Sequence, residues 1–385
     1  MPGPTASPPL TPTVRILVAP DKFKGTLTSD EAARAISRGL RRVWSHAKVT
    51  RLALTDGGEG FVETMVRLTG GKLRTRMTVD AAGRDRRACW GVLGDGRTAV
   101  IGLTEASGIA HLPAKLRRAE RTSNLGTGHL IAAALQAGYR RIVVGLGGSA
   151  TTEGGISLAA AIGYRFLDRD GQPISLDGAG LSRLDRIEPP GKKPRARFVV
   201  ATDVGNPLFG AKGAAYQFAP QKGADAATVR RLDAGLRRLA RIVKRDLGLD
   251  LAARPGAGSA GGCGYGLMTF FGAEREEGFQ LIRHAAGLDA LIRAHDLVIT
   301  GEGSFDRTSL LGKAPAQLGR LARRLQRPVW ALCGRAELTA RQSPFDRLEA
   351  LPEGKWLARL TPAQHAKRLE ALAERVAREE AGDFR

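Results

Sequence analysis

Residues 296–315 read DLVITGEGSFDRTSLLGKAP: an apolar stretch over 297–300, a glycine-rich acidic loop, then a lysine. A loop at the carboxyl end of a buried strand is where open α/β sheets bind ligands, and glycines there let backbone N–H groups approach a phosphate closely. Gly301, Gly303 and Gly312 provide that approach, Glu302 and Asp306 are hard oxygen donors suited to Mg2+, and Lys313 can neutralise a phosphoryl oxygen. A P-loop is excluded, because Gly303 stands too far from Gly312 and Ala314, not Ser or Thr, follows the lysine. Two dinucleotide-like strings also fail on context. GAGSAG at 256–261 follows Ala-Arg-Pro instead of a strand, and GLGGSA at 145–150 is not followed by a helix with a well-placed acid.

Four further loops carry groups of the same kind. Asp21, Lys22 and Lys24 follow a predicted strand over 14–19, where a flexible ammonium can reach a carboxylate or phosphate. Asp56 and Glu59 sit among Gly57, Gly58 and Gly60, and a carboxylate there can accept a hydroxyl proton during phosphoryl transfer; Asp56 can also cap the next helix. Gly147, Gly148 and Ser149 offer N–H and hydroxyl groups to an anion. Asp203 and Asn206 follow a predicted strand over 197–202, Asp203 suiting Mg2+ or substrate hydroxyls, and Lys222 suits phosphate. His111, His129, His284 and His295 are far apart and read as structural or exposed. Mg2+ completes its shell with water and needs no histidine cluster.

The elements that must position these loops alternate. After the strand over 14–19, Thr28 stands three residues before Glu31, a capping box, and Ala32, Ile36, Leu40 and Val43 continue at helical spacing. A second strand ends at 52–54, with a helix over about 59–68. Repeated strand, polar loop and helix argue for a parallel sheet covered on both faces. Between about 72 and 103 short alternating stretches are broken by Gly83-Arg84 and by Gly94-Asp95-Gly96, a hairpin signal. Parallel-type units return at 297–300 and 328–332. The expected organisation is therefore a first α/β domain from 14–72 plus 271–385, an inserted second α/β domain over 73–270, and a disordered tail over 1–13. The segment 363–379 reads as an amphipathic packing helix.

With 385 residues and only 5% aromatics, the cores must be built from Leu, Val, Ile and Ala. The formal net charge is +22, which raises the alternative of a basic nucleic-acid-binding protein. Over 229–245, however, Val229, Leu232, Leu236, Leu239 and Val243 recur at helical spacing with Arg and Lys on the remaining face, and no aromatic residues interleave as a stacking platform would require. Specific nucleic-acid binding is not expected. Cys89, Cys263 and Cys333 show no ligand spacing and fit a reducing cytoplasm, the first thirteen residues lack the pattern of a signal peptide, and no apolar run is long enough to span a membrane.

Nine colinear blocks carry a resemblance: APDKFKGTLTSDEAA (19–33), TDGGEG (55–60), EASG (105–108), TSNLGTGHL (122–130), GLGGSATTEGG (145–155), ATDVGNPLFG (201–210), PQKGA (220–224), PGAGSAGG (255–262), and ITGEGSFD with GKAP (299–315). Together they resemble the bacterial type-1 glycerate kinase family. That resemblance implies two α/β domains, one of them flavodoxin-like, and Mg2+-dependent transfer of the γ-phosphoryl of ATP to a hydroxyl of D-glycerate, with 2-phosphoglycerate the favoured product. A kinase of another small hydroxy acid is the nearest alternative. The chain departs from the family pattern at Thr152-Glu153, Asn124-Leu125, Gly205 and Ser304. Glu153 keeps a carboxylate, whereas Gly205 leaves Asp203 as the only acid of its loop.

Overall fold

The structure is a computed structural model that describes residues 14–23, 25–54, 57–352, 354 and 360–380. In chain order it opens with β1 (Arg15–Val18), α1 (Ser29–Val43), β2 (Lys48–Arg51), α2 (Phe61–Thr69), β3 (Lys72–Val79), β4 (Asp85–Val92), β5 (Thr98–Gly102), α3 (Leu103–Ser107) and α4 (Leu125–Gln136). It continues through β6 (Arg141–Gly145), α5 (Ile156–Ala160), β7 (Arg165–Leu167), β8 (Arg186–Glu188), β9 (Arg197–Ala201), α6 (Ala214–Phe218), α7 (Ala226–Leu247), α8 (Ser259–Phe271), β10 (Glu274–Glu276) and α9 (Gly278–Ala285). The last part holds α10 (Leu288–Arg293), β11 (Leu297–Thr300), β12 (Ser304–Phe305), α11 (Ala314–Arg324), β13 (Val329–Cys333), β14 (Arg335–Ala336), β15 (Arg347–Ala350) and α12 (Pro362–Glu379).

Two compact units form, one from Met1–Leu54 with Gly287–Arg385 and the other from Thr55–Ala286. The first contains a five-stranded sheet in the order β2-β1-β11-β13-β15, every pair parallel. Numbered within the sheet this is 2-1-3-4-5, the flavodoxin-like order. Its central strands β11 and β13 are buried at every position, as strands covered on both faces must be. Ile16, Val18, Ile36, Leu40, Leu297, Ile299, Leu372 and Val376 share its core. The expected capping box starts α1: the Glu31 N–H donates to Thr28 Oγ1 (3.2 Å) and Glu31 Oε2 accepts the Thr28 N–H (2.8 Å). The C-terminal helix α12 crosses α1 at Gly39, where a Cβ would lie 2.1 Å from the Glu370 carbonyl oxygen.

The second unit carries a six-stranded sheet in the order β10-β9-β6-β5-β4-β3, parallel from β10 to β5 and antiparallel at β4 and β3. The hairpin signal at residues 94–96 does join β4 to β5. Helix α7 buries Val229, Leu232, Leu236, Leu239 and Val243 and is capped by Asp225, whose Oδ1 accepts the Thr228 N–H at 2.7 Å. Helix α2 packs on β4 and β5, where Gly91 and Gly102 leave room for Val62 and Val66. This helix therefore belongs with the second sheet, and the division between units falls before it, at residues 54–55, not at 72–73. The other division falls at 286–287 because α9 packs on α2. The expected tail over 1–13 lies outside the described residues.

Candidate active site

In the first unit the strand order reverses between β1 and β11, and the loops leaving their carboxyl ends meet there. The Asp21 N–H donates to the Gly301 carbonyl at 2.8 Å, and Thr300 Oγ1 donates to the Ala19 carbonyl at 2.7 Å. Asp21 is buried and its Oδ1 accepts the Lys22 N–H at 2.7 Å, so this carboxylate shapes its own loop. Lys24 lies outside the described residues. Gly301 is required by packing as much as by any ligand, since a Cβ there would stand 1.9 Å from the Leu332 carbonyl oxygen. Gly303 accepts the Arg335 N–H at 3.0 Å, and Gly312 has a φ of +128°, which side chains rarely adopt.

Glu302, Asp306 and Lys313 do come together. Lys313, at the N-cap of α11, places Nζ 3.2 Å from Glu302 Oε2, 2.9 Å from Ser309 Oγ and 3.9 Å from Asp306 Oδ1. Burial pushes the Glu302 carboxyl above its ordinary value and the Lys313 ammonium offsets part of that. The Thr308 hydroxyl, 2.5 Å from Asp306 Oδ1, holds Asp306 below the usual range. Glu302 Oε1 is buried and has no hydrogen-bond partner among the described residues. A buried, unpartnered carboxylate oxygen is costly unless something satisfies it. With Asp306 in the same loop, the donor set fits a hard cation such as Mg2+.

In the second unit the carboxyl ends of β5, β6 and β9 carry the remaining candidates. Gly147 packs directly on the loop before α2: its N–H donates to the Gly57 carbonyl at 3.0 Å, and a Cβ on it would lie 2.3 Å from Gly58 Cα. The Glu59 loop and the 147–149 loop, expected in different domains, thus adjoin in one unit. Glu59 is exposed and Asp56 lies outside the described residues. Gly148 has a φ of +66°, and among the described residues the N–H groups of Gly148 and Ser149 have no acceptor. Two successive unpaired donors at a left-handed turn are a geometry that can receive an anion. Asp203 Oδ1 accepts the Gly278 N–H at 2.8 Å, and Asn206 Nδ2 donates to the Lys212 carbonyl at 2.8 Å, so both also fix their own loop.

Lys222, read from the sequence as suiting phosphate, is only 2% exposed, and its Nζ donates to the Thr151 carbonyl at 2.5 Å and lies 3.4 Å from Ser149 Oγ. The Pro220–Lys222 turn points it inward beneath the 149–153 loop. Sequence reasoning also passed over Glu105, in the quoted EASG block just beyond β5. Its carboxylate, the Glu63 carboxylate and the Cys89 thiol lie within 4.8 Å of one another. Burial, with the Glu63 charge adding, pushes Glu105 up to about 7. Its distance of three residues from a strand end was the available signal. The histidines behave as expected where they are hydrogen-bonded: His295 joins Leu291 O (2.6 Å) and Thr50 Oγ1 (2.7 Å), and His129 joins Thr78 Oγ1 (3.1 Å).

One unit carries a flavodoxin-ordered sheet with a lysine and two acids at its switch point, the other a sheet with an open N–H corner, and both are features of α/β folds suited to anionic ligands. The family model described as the glycerate kinase family matches residues 16–380. The chain is 40% identical over 324 residues to "Glycerate 2-kinase" of Escherichia coli K12, covering 83% of this chain and 85% of that one. It is 41% identical over 322 residues to "Glycerate kinase" of Halalkalibacterium halodurans, with the same two coverages. A crystal structure from Salmonella typhimurium LT2, of a protein provisionally designated glycerate kinase 2, aligns with a TM-score of 0.82 at 35% identity, covering 96% of this chain and 99% of that one. The chain belongs to the glycerate kinase family, and it is accordingly a kinase.

Proposed function

We propose that this chain transfers the γ-phosphoryl of ATP to a hydroxyl of D-glycerate, giving ADP and 2-phosphoglycerate. The substrate rests on the family and on relatives named for glycerate. The structural observation that carries the chemistry is the Lys313 ammonium set between Glu302 and Asp306 at the switch point. In this reading the substrate hydroxyl attacks the γ-phosphorus, the bond to the β-phosphate oxygen breaks, and the hydroxyl proton passes to a carboxylate, for which Asp56 is the candidate. Lys313 faces the charge that develops on the transferring group, and Lys22 and Lys24 contribute to substrate anions. The loop of Gly301, Gly303 and Gly312 receives the nucleotide phosphates. Glu302, with Asp306, would hold Mg2+, and Asp203 is a further candidate ligand; the bound ion supplies charge neutralisation on the phosphates. Gly148 and Ser149 receive the substrate through their unpaired N–H groups, and Asp21, Glu59 and Asn206 are candidate substrate-binding residues.

We place the activity in the cytoplasm. Among the described residues the three cysteines are free thiols, and no helix is long and apolar enough to cross a membrane. An ADP-release assay with ATP and Mg2+ against D-glycerate, L-glycerate, glycolate and D-lactate tests the substrate. D-Glycerate is expected to give the highest kcat/KM; a faster reaction with another hydroxy acid would replace it.

A further inference from the structure

Beneath the 147–151 loop lies a polar cluster that phosphoryl transfer does not itself require. It joins Lys222, Asn124, Thr151, Glu153 and Cys263, all buried, from four separate stretches of chain. Asn124 Nδ2 lies 2.6 Å from Thr151 Oγ1, 2.6 Å from Glu153 Oε1 and 2.8 Å from Cys263 Sγ. Glu153 Oε1 also accepts from Ser157 Oγ at 2.9 Å, and Oε2 from the Ser157 N–H at 3.2 Å. Thr151 Oγ1 lies 3.1 Å from Ser149 Oγ, and Lys222 Nζ grips the Thr151 carbonyl from below. On the remaining side Gly261 admits the same carbonyl, since a Cβ there would lie 2.0 Å from Thr151 O, and the Ala260 carbonyl lies 3.3 Å from Ser149 Oγ.

A buried ammonium and a buried carboxylate are each costly alone and tolerable when compensated. Every hydrogen bond described for the Lys222 ammonium ends on Ser149 or Thr151. We infer that Lys222 is a positioning residue, and with Glu153 and Asn124 holds the 148–151 loop so that the Gly148 and Ser149 N–H groups and the Ser149 hydroxyl present one fixed corner to the anionic group of the acceptor substrate. Lys222 thus acts on substrate through Ser149 and Thr151 without touching it. The inference rests on the reading of this loop as the acceptor site. It has a pH signature, because burial pulls the Lys222 ammonium down to about 8 while the neighbouring Glu153 and Cys263 pull the other way. Above that value the ammonium loses its proton, its grip on Thr151 O weakens, and the corner loosens. Affinity for the acceptor therefore falls as pH rises through about 8.

Steady-state kinetics of the wild type, Lys222→Met and the double variant Lys222→Met/Glu153→Gln, from pH 6.5 to 9.5, test this. The double variant removes the buried ammonium and the nearby buried carboxyl, which burial pushes above its ordinary value, and so gives a second route to a folded protein should the single variant fail to fold. Expected are a rise of about tenfold in KM for glycerate in whichever variant folds, KM for ATP within about twofold, and a wild-type rise in KM for glycerate above pH 8 that the variants lack. A folded variant with wild-type KM for glycerate, or a wild-type KM that is flat through pH 8, would overturn the positioning role. Absence of any glycerate turnover by the wild type would instead remove the functional reading beneath it.

Discussion

Lys313 is the side chain on which the proposed chemistry most depends. Its ammonium already sits against Glu302 and Ser309, so its geometry is set before any ligand arrives. A preset cation stabilises developing phosphoryl charge without reorganisation. Lys313→Ala is expected to lower kcat on the order of a hundredfold with the fold intact by circular dichroism, because the interaction strengthens in the transition state. An unchanged kcat would take Lys313 out of the reaction. Glu302, Asp306 and Lys313 were legible in the sequence because all three lie within one short loop and helix start, so local spacing alone gathers them. Lys222 was legible as a lysine and not as a buried one. Its depth follows from how the turn before α7 packs under a loop some seventy residues earlier in the chain, which no local pattern encodes. Asn124 and Glu153 escaped as site residues for the same reason, whereas Glu105 carried a local signal in its place three residues beyond β5.

Among the elements, the glycines separate two roles that look alike in sequence. Gly148 carries a positive φ and frees its N–H, as an anion loop demands. Gly301 is instead a contact point between adjacent strands, with the Leu332 carbonyl where its Cβ would be. Gly301→Ala is expected to cost about 2 kcal/mol or more in stability, since backbone must move to admit one methyl. Urea unfolding checks this, and a midpoint within error of wild type would show that the strands can separate cheaply. Helices α1 and α7 were readable because caps and apolar spacing agree along each of them. Strand β2 was read late, since residues 52–54 are buried and still bond to the β1 segment (Leu52 N to Val18 O, 2.9 Å), although the regular strand ends at Arg51. Helix α2 was assigned to the wrong side of the division because its partners, β4 and β5, follow it in the chain.

Across the molecule, the net charge of +22 is spread over solvated faces such as that of α7. Both proposed substrates are anions, so this field raises their local concentration and is screened by salt. Raising ionic strength from about 0.05 to about 0.5 M is expected to increase both KM values a few-fold while leaving kcat nearly constant. A fall in kcat with KM unchanged would show that salt acts on the transferring group and not on encounter. The most direct test of the account is 31P NMR of the product formed from D-glycerate, ATP and Mg2+ by the purified chain. The account predicts stoichiometric conversion to ADP and a single phosphomonoester resonance coincident with added 2-phosphoglycerate. A resonance coincident with 3-phosphoglycerate would contradict the assigned hydroxyl, and inorganic phosphate alone would contradict transfer to glycerate altogether.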